Sequence, residues 1–485
     1  MTAPVERIAL APDLTISRVV TGLWQIADME RDGRVLDLDV TAAAMAPYAD
    51  AGFTTFDMAD HYGSAELIAG RFRAAHPEAP VQLFTKWVPK PGPVSLSDVR
   101  EAVERAVDRL RGRPIDLMQF HAWTFADAHW LDALGHLAAL RSEGLIRHLG
   151  VTNFDAAHLR IAVASGIPVI TNQVSFSLLD QRAAHGLSAV CLQYGVKLLA
   201  YGTVAGGLLT ERWQARPEPP ADDSRTWSVM KYSRFMQAAG GWNALQRVLN
   251  VTATIATKHG VSMANVACRH ILDMPAVGGV IIGARLGERA HIADNARIAT
   301  LRFDDDDRRA LGDVLATLTP IPGDCGDEYR KPPYLTASGD LSHHVAAFPA
   351  PYAVHRVSDT RSYCLSGTSW EPLAGYSRAV RTGNTIRVSG TTATHGATRI
   401  GADDPAAQTH FVIDKLEGAI ISLGGRLEDV VRTRVFVNDI AQWEPIARAH
   451  GERFGHILPA NTMVQATLIG EGYLVEIEAD AELQS

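Results

Sequence analysis

Four side chains suited to proton transfer stand at regular places in the first third of the chain. An apolar run, Ala51-Gly52-Phe53-Thr54-Thr55-Phe56, delivers Asp57 to what reads as a strand end, and Tyr62 follows five residues later. A second stretch, Gln82-Leu83-Phe84-Thr85-Lys86-Trp87, brings Lys86 to its end, and a third, Asp116-Leu117-Met118-Gln119-Phe120-His121, ends in His121. Carboxylate, phenol, ammonium and imidazole are the groups from which a proton-handling site is built. Each has a plainer use as well. Asp57 or Asp60 suits a turn cap, Lys86 a surface position, and His121 a hydrogen-bonded core position. Their arrival at successive strand ends favours a shared site.

Strand-like runs alternate with amphipathic segments from Arg18 to Gly283. The strands are expected at Val19–Trp24, Gly52–Asp57, Val81–Lys86, Ile115–His121, His148–Thr152, Val169–Gln173, Val196–Tyr201 and Val280–Gly283. Between them lie helical patterns such as Ser97–Arg111, with Val99, Val103, Val107 and Leu110 on one face. Eight strands separated by helices predict an α/β fold, a (β/α)8 TIM barrel. The competing architecture is a doubly wound sheet, but no GxGxxG follows the first strand. A barrel presents its chemistry from the C-terminal ends of its strands, where Asp57, Lys86 and His121 fall.

The totals narrow the class. A chain of 485 residues exceeds one ordinary core and predicts two or three domains. Apolar and charged fractions of 47% and 21% fit a globular protein, and a formal charge of -8 disfavours a nucleic-acid partner. No apolar run reaches the roughly 18 residues needed to span a bilayer. The N-terminus has no secretory pattern, so a cytoplasmic location is expected. The four cysteines (Cys191, Cys268, Cys325, Cys364) lack disulfide or CxxC spacing and are expected as reduced thiols.

Residues 8 to 320 resemble the aldo-keto reductase superfamily. The resemblance is carried by FDMADHYGSAE, FTKW, DLMQFHAW, GVTNF, NQVSFSLLD and AYGTVAGGLL. It implies an NAD(P)H-dependent oxidoreductase that interconverts a carbonyl and an alcohol. Asp57, Tyr62, Lys86 and His121 fall on the family's four catalytic positions. Tyr62 would be the general acid in reduction, Lys86 would lower its pKa, Asp57 would hold Lys86, and His121 would orient the carbonyl oxygen. Asn153 and Gln173 match the amides that hold the nicotinamide carboxamide, and Tyr201 the aromatic that stacks on its ring. Arg285 stands where a cation meets the 2′-phosphate and Asn295 on the adenine side. His291 and Leu286 depart from the pattern there, which leaves NADP(H) and NAD(H) both open. Trp24, Trp87 and Trp123, at or just past strand ends, are candidates to wall an apolar or sugar-like substrate. The segment Glu211–Gly241, with Asp222-Asp223, is expected as a loop over the active face.

After Asp304–Asp307 and a short helical pattern to Leu318, the composition turns rich in Pro, Gly, Ser, Asp and His. Cys325 with Asp324, Asp327 and His343-His344 shows no metal-ligand spacing, and no metal is expected. From Tyr376 the pattern reads ββαβαββ, a smaller α+β unit. It resembles the Rid (YjgF/YER057c/UK114) family over about residues 374 to 482, through GYSRAVRTGNTIRVSG, QTHFVIDKLEGAIISLGGRLEDVVRTRVFVND and PANTMVQATLIGEGYLVEIEA. That family implies a homotrimer with clefts between subunits. Tyr376 and Glu476 match cleft positions, but Asn461 stands where the deaminating branch has the arginine that clamps a substrate carboxylate. Asparagine cannot form that bidentate cationic clamp.

The expected organisation is therefore a barrel over 1-320, a linker or ordered tail over 321-372 and a Rid-like domain over 373-485. The second domain would bind a small ligand or mediate oligomerisation. Two other arrangements are consistent with the sequence: a coupled enzyme whose second domain hydrolyses or captures an unstable imine, enamine or other product, and a cofactor-sensing scaffold.

Overall fold

The computed structural model describes residues 5–30, 33–112, 114–220, 226–336, 345 and 348–484. Eight parallel strands close into a barrel: β1 (Val19–Gly22), β2 (Thr55–Asp57), β3 (Gln82–Trp87), β4 (Ile115–His121), β5 (Ile146–Thr152), β6 (Val169–Ser175), β7 (Lys197–Tyr201) and β8 (Val277–Gly283). β8 pairs with β1 through Val280–Gly283 against Val19–Gly22, which completes the ring. All eight expected strands are present, with ends displaced by a few residues.

Local signals fix the surrounding helices. Leu96–Leu110 begins at a capping box in which Ser95 and Asp98 satisfy each other's backbone N–H groups, and it ends at Arg111 in a left-handed conformation. The acidic run at 304–307 has a similar structural use: Asp304 and Asp307 form the capping box of Asp305–Leu315. An N-terminal hairpin, Arg7–Ala11 with Leu14–Ser17, was not expected. Its Leu10, Leu14 and Ile16 pack with Val20, Phe84, Leu117, Leu199 and Ile281, sealing one end of the barrel with apolar side chains. The polar groups lie at the other end.

The second unit is a seven-stranded mixed sheet: β9 (Ala353–Ser358), β10 (Arg361–Leu365), β11 (Ala379–Thr382), β12 (Thr385–Thr392), β13 (Val430–Val437), β14 (Ala460–Gln465) and β15 (Val475–Glu482). Its order is β9-β10-β11-β12-β15-β13-β14, with β13 and β14 parallel. The helices Pro405–Ser422 and Trp443–Phe454 pack together beside this sheet. The ββαβαββ pattern is recovered, but the sheet already begins at Ala353. β9 and β10 belong to it and not to a linker, because β10 completes the backbone hydrogen bonding of β11. The segment Asp327–Arg330, expected as linker or ordered tail, is a short helix folded back on the barrel.

The two units are docked. Pro405–Ser422 lies on the barrel helix Ala156–Ala164, and one buried apolar cluster continues from the barrel into the second domain. Arg160 pairs with Asp404 at 2.8 Å, Tyr194 also donates to Asp404, and His395 lies 2.9 Å from Asp132.

At Gly70 the helix Ala65–Ala75 closely approaches Leu96–Leu110. A β-carbon there would collide with the Arg109 carbonyl at the end of Leu96–Leu110, and backbone cannot step aside as a side chain can. Gly70→Ala is expected to lower stability by about 1–3 kcal/mol, the range for overpacked sites. Chemical denaturation measures it; an unchanged midpoint would contradict the close approach.

Candidate active site

Strand alternation sends Asp57, Lys86, Gln119, His121 and Gln173 into the polar end of the barrel. Asp57 and Lys86 have side chains only 4% exposed, and Lys86 Nζ donates to Asp57 Oδ2 at 2.7 Å and to the Met58 carbonyl at 2.7 Å. The other carboxylate oxygen accepts from Gln119 Nε2 at 3.0 Å and Gln173 Nε2 at 2.8 Å. A buried carboxylate is stable only when its lone pairs are occupied in this way. Gln119 escaped the sequence reading. Its signal was present, since it lies two residues before His121 and therefore on the same face of β4.

Tyr62 sits over this pair, with Lys86 Nζ 4.8 Å from its ring centroid. The ammonium approaches the ring and points its hydrogens at Asp57 and Met58. Burial, reinforced by the Asp57 charge, pushes the Tyr62 phenol well above its ordinary value. This reverses the expected depression by Lys86, whose own pKa burial lowers against the pull of Asp57. Asp60 serves the turn: one oxygen accepts from Val88 N and the other contacts His61.

His121 is the first shared neighbour of the next group. Its Nδ1 lies 3.4 Å from the Thr152 carbonyl and 3.5 Å from Asn153 Nδ2. Asn153 adopts a left-handed backbone (φ 59°), tolerable for asparagine. Its Oδ1 accepts from Tyr201 Oη at 2.7 Å, which aims the amide nitrogen at His121. Glu328 Oε1 also lies 3.1 Å from Tyr201 Oη. The structure thus brings Asn153 and Tyr201 together with His121, and Gln173 with Asp57.

The three tryptophans separate. Trp24 packs edge-on to Tyr62 at 4.9 Å and Trp123 edge-on to His121 at 4.5 Å. Trp87 does not join them: as Lys86 faces inward, its neighbour on β3 faces outward, and Trp87 packs on Phe120 in the buried core. Arg285 lies at the far end of β8, where it pairs with Asp28 and Glu288, each at 2.8 Å. Glu288 is shared with Arg34, also at 2.8 Å. Asn295 is half-buried in the short helix Ile292–Ala296 and borders a small cavity with Val5, Arg18 and Phe53.

A cap built from the segment after β7 and from the chain beyond the barrel covers this end. The segment after β7 is not a structureless loop, for Trp227–Ala238 is a helix; residues 221–225, including Asp222-Asp223, lie outside the described residues. From that helix Lys231 donates to Tyr329 Oη at 2.6 Å and sits 4.6 Å from the Tyr201 ring centroid. Burial opposes its charge, but Tyr329, Tyr232 and Glu328 together hold its pKa above the ordinary lysine value. Tyr329 lies 5.6 Å from the His121 ring, and the neighbouring Glu328 pairs with Arg182 at 3.0 Å. Neither Lys231 nor Tyr329 carries a motif, so only the folded chain associates them with the site.

Comparison with known proteins agrees with the barrel and the smaller second domain. Residues 18–315 match the aldo/keto reductase family. The chain belongs to the aldo/keto reductase family. Members of that family are NAD(P)-dependent oxidoreductases. Residues 367–483 match the family described as endoribonuclease L-PSP, which is the Rid/YjgF family. Flagellar radial spoke protein 5 of Chlamydomonas reinhardtii is 29% identical over 295 residues, covering 47% of this chain and 56% of that protein. The chain thus spans little more than half the length of that relative. An uncharacterized protein of Streptomyces coelicolor, SCO2049, is 36% identical over 117 residues, 24% of this chain and 87% of its own. Among solved structures, the glycerol dehydrogenase of Gluconobacter oxydans is 26% identical with a TM-score of 0.54, covering 67% of this chain and 98% of that one.

In the Rid-like domain, Tyr376 and Glu476 neighbour the buried Arg378. Arg378 donates to the Gly390 carbonyl at 2.8 Å, Thr391 Oγ1 at 2.6 Å and Tyr376 Oη at 3.1 Å. Burial raises the Glu476 pKa, with Arg378 opposing. Asn461 is held elsewhere, donating to Thr433 Oγ1 at 2.9 Å across β13 and β14. Among the described residues no group of three or more His, Cys, Asp or Glu side chains could hold a metal ion, and His343-His344 lie outside them.

The Asp57–Lys86 pair yields a direct test. Lys86→Met strands a buried carboxylate and is expected to cost about 3–5 kcal/mol. The double variant Asp57→Asn/Lys86→Met is expected to recover most of that loss. Denaturation of the three proteins checks this; equal stability of Lys86→Met and the parent would refute the pairing.

Proposed function

We propose that the barrel transfers hydride between a nicotinamide cofactor and a small carbonyl or alcohol, with Tyr62 moving the proton. The observation that carries this reading is the Asp57–Lys86 pair beneath the Tyr62 ring, in a barrel of this family, with His121 on a nearby strand end. Reduction of a carbonyl leaves charge on oxygen, which a phenol beside it discharges by donating its proton. Burial keeps Tyr62 protonated through the neutral range, which suits it to the reductive direction. Lys86 places a positive charge under the ring that favours the phenolate once the proton has left, and Asp57 holds Lys86 there. His121 Nδ1 faces both the Thr152 carbonyl and Asn153 Nδ2, and the tautomer in which it accepts from the amide leaves the proton on Nε2 to hydrogen-bond a carbonyl oxygen. Trp24, Trp123 and Tyr329 would wall the substrate, which favours an apolar or flat one.

For the cofactor, Asn153, Gln173 and Tyr201 are assigned to the nicotinamide end and Arg285 and Asn295 to the adenosine end. Arg285 is already neutralised by Asp28 and Glu288. A 2′-phosphate would have to compete with two carboxylates for it, so we assign NAD(H) as a cofactor at least as favourable as NADP(H).

The Rid-like domain is assigned to assembly or to binding a small uncharged ligand. Asn461 is no cation, and Arg378, committed to three acceptors, does not replace the missing clamp. The sheet leaves Val354 and Val357 exposed at one edge and Val431 and Val464 at the other, apolar side chains that suit association of copies of this chain, as a trimer in keeping with the family.

Two outcomes are expected. Tyr62→Phe should lower turnover at least about a hundredfold while leaving cofactor binding nearly unchanged. In the parent the reductive rate should hold through neutral pH and fall only when Tyr62 ionises, whereas alcohol oxidation should climb with pH. Steady-state rates against pH, with fluorescence titration of cofactor, decide this; near-parent turnover of Tyr62→Phe would reject the assignment. Glu288→Gln should improve NADPH affinity relative to NADH by about fivefold, the scale of a partly exposed ion pair. An unchanged ratio would remove Arg285 from the 2′-phosphate site.

A further inference from the structure

A line of contacts runs from the second domain to the cap over the active site. Asp414, on Pro405–Ser422, is buried, accepts from Arg453 at 2.7 Å and lies 3.1 Å from His158 Nε2. His158 is a barrel residue, held on its other nitrogen by Asp155 at 2.6 Å. Its ring stacks on Phe125 at 3.6 Å with an interplanar angle of 8°. The Arg330 guanidinium carbon lies 4.2 Å from the same ring centroid. Two planar groups so near one centroid must occupy opposite faces, so Phe125 is sandwiched between imidazole and guanidinium.

Arg330 is the residue that pins the cap. It donates to the Ala122 and Asn153 carbonyls, each at 2.8 Å, which are the positions just past His121 and Thr152. Directly before it are Tyr329, beside His121 and Trp123, and Glu328, bonded to Tyr201. Close packing reinforces the line: a β-carbon on Gly418, one helical turn from Asp414, would collide with the Ala126 carbonyl next to Phe125. Phe125, His158, Arg330 and Arg453 also share the wall of a cavity of about 1160 Å³ between the domains.

We infer that Asp414 of the Rid-like domain is a positioning residue for the barrel's active site, acting through His158, Phe125 and Arg330 on the cap Gly326–Arg330. The consequence for substrate rests on the carbonyl-reducing reading above, whereas the consequence for the cap does not. Asp414 fixes the His158 ring, the ring fixes Phe125, and Phe125 supplies the face on which Arg330 must lie to reach both carbonyls. Losing Asp414 frees Arg330 and lets Tyr329 drift from His121.

The test compares Asp414→Asn with Asp404→Asn in the full chain. Asp404 also bridges the domains, through Arg160 and Tyr194, but leads to no stack. Hydrogen exchange of the amides at 326–330 is expected to quicken about tenfold in Asp414→Asn and to stay at the parent rate in Asp404→Asn. With NADH and 4-nitrobenzaldehyde as probes, KM for the aldehyde should rise in Asp414→Asn while kcat changes little. Parent-like exchange in Asp414→Asn, or equal acceleration in both variants, overturns the inference. Absence of turnover in the parent would refute the proposed reaction and leave the exchange result to decide the coupling. Should Asp414→Asn fail to fold, Phe125→Leu carries the same exchange test from the barrel side.

Discussion

The buried Asp57 carboxylate is the constraint on which the site depends. A charge placed there without partners would be untenable, and β2, β3, β4 and β6 each contribute to holding it. Lys86 takes one oxygen, and Gln119 with Gln173 take the other. Because four strands are committed to one carboxylate, their register at the polar end of the barrel is fixed together. The position of Tyr62 above Lys86 follows from that register, as does the emergence of His121 nearby. The opposite end is sealed with apolar side chains, so the molecule separates its packing from its chemistry along the barrel axis.

Much of this was legible because barrel strands announce themselves twice, by apolar runs and by the polar residue that ends each. Asp57, Lys86 and His121 could be read in this way, and the structure draws Asp57 and Lys86 together and places Tyr62 over them. Alternation, applied one step further, would have found Gln119 and would have turned Trp87 into the packed core. The direction of the Tyr62 shift was not legible. It depends on whether the ammonium meets the phenol oxygen or the ring face, and on how deeply the ring is buried.

What lay beyond reading comes from long-range docking. The cap Asp327–Arg330 follows the barrel in a stretch whose composition resembles a linker, and its helix is too short to leave a periodic pattern. β9 and β10 were hidden for a related reason: β9 is an edge strand exposed along its whole length, and β10 beside it is short and only partly buried. The N-terminal hairpin alternates but is brief. Each is stabilised by partners distant in sequence, and no local signal encodes those partners.

The central claim is that this barrel moves a hydride while Tyr62 moves a proton. The most direct measurement uses the full chain, nicotinamide cofactor deuterated at the transferring position of C4, and a panel of aldehydes and ketones, with the product alcohol examined by NMR. The account predicts deuterium on the carbinol carbon of the product, and none formed by Tyr62→Phe. Cofactor left unconsumed across the panel, or deuterium recovered in water, would contradict it.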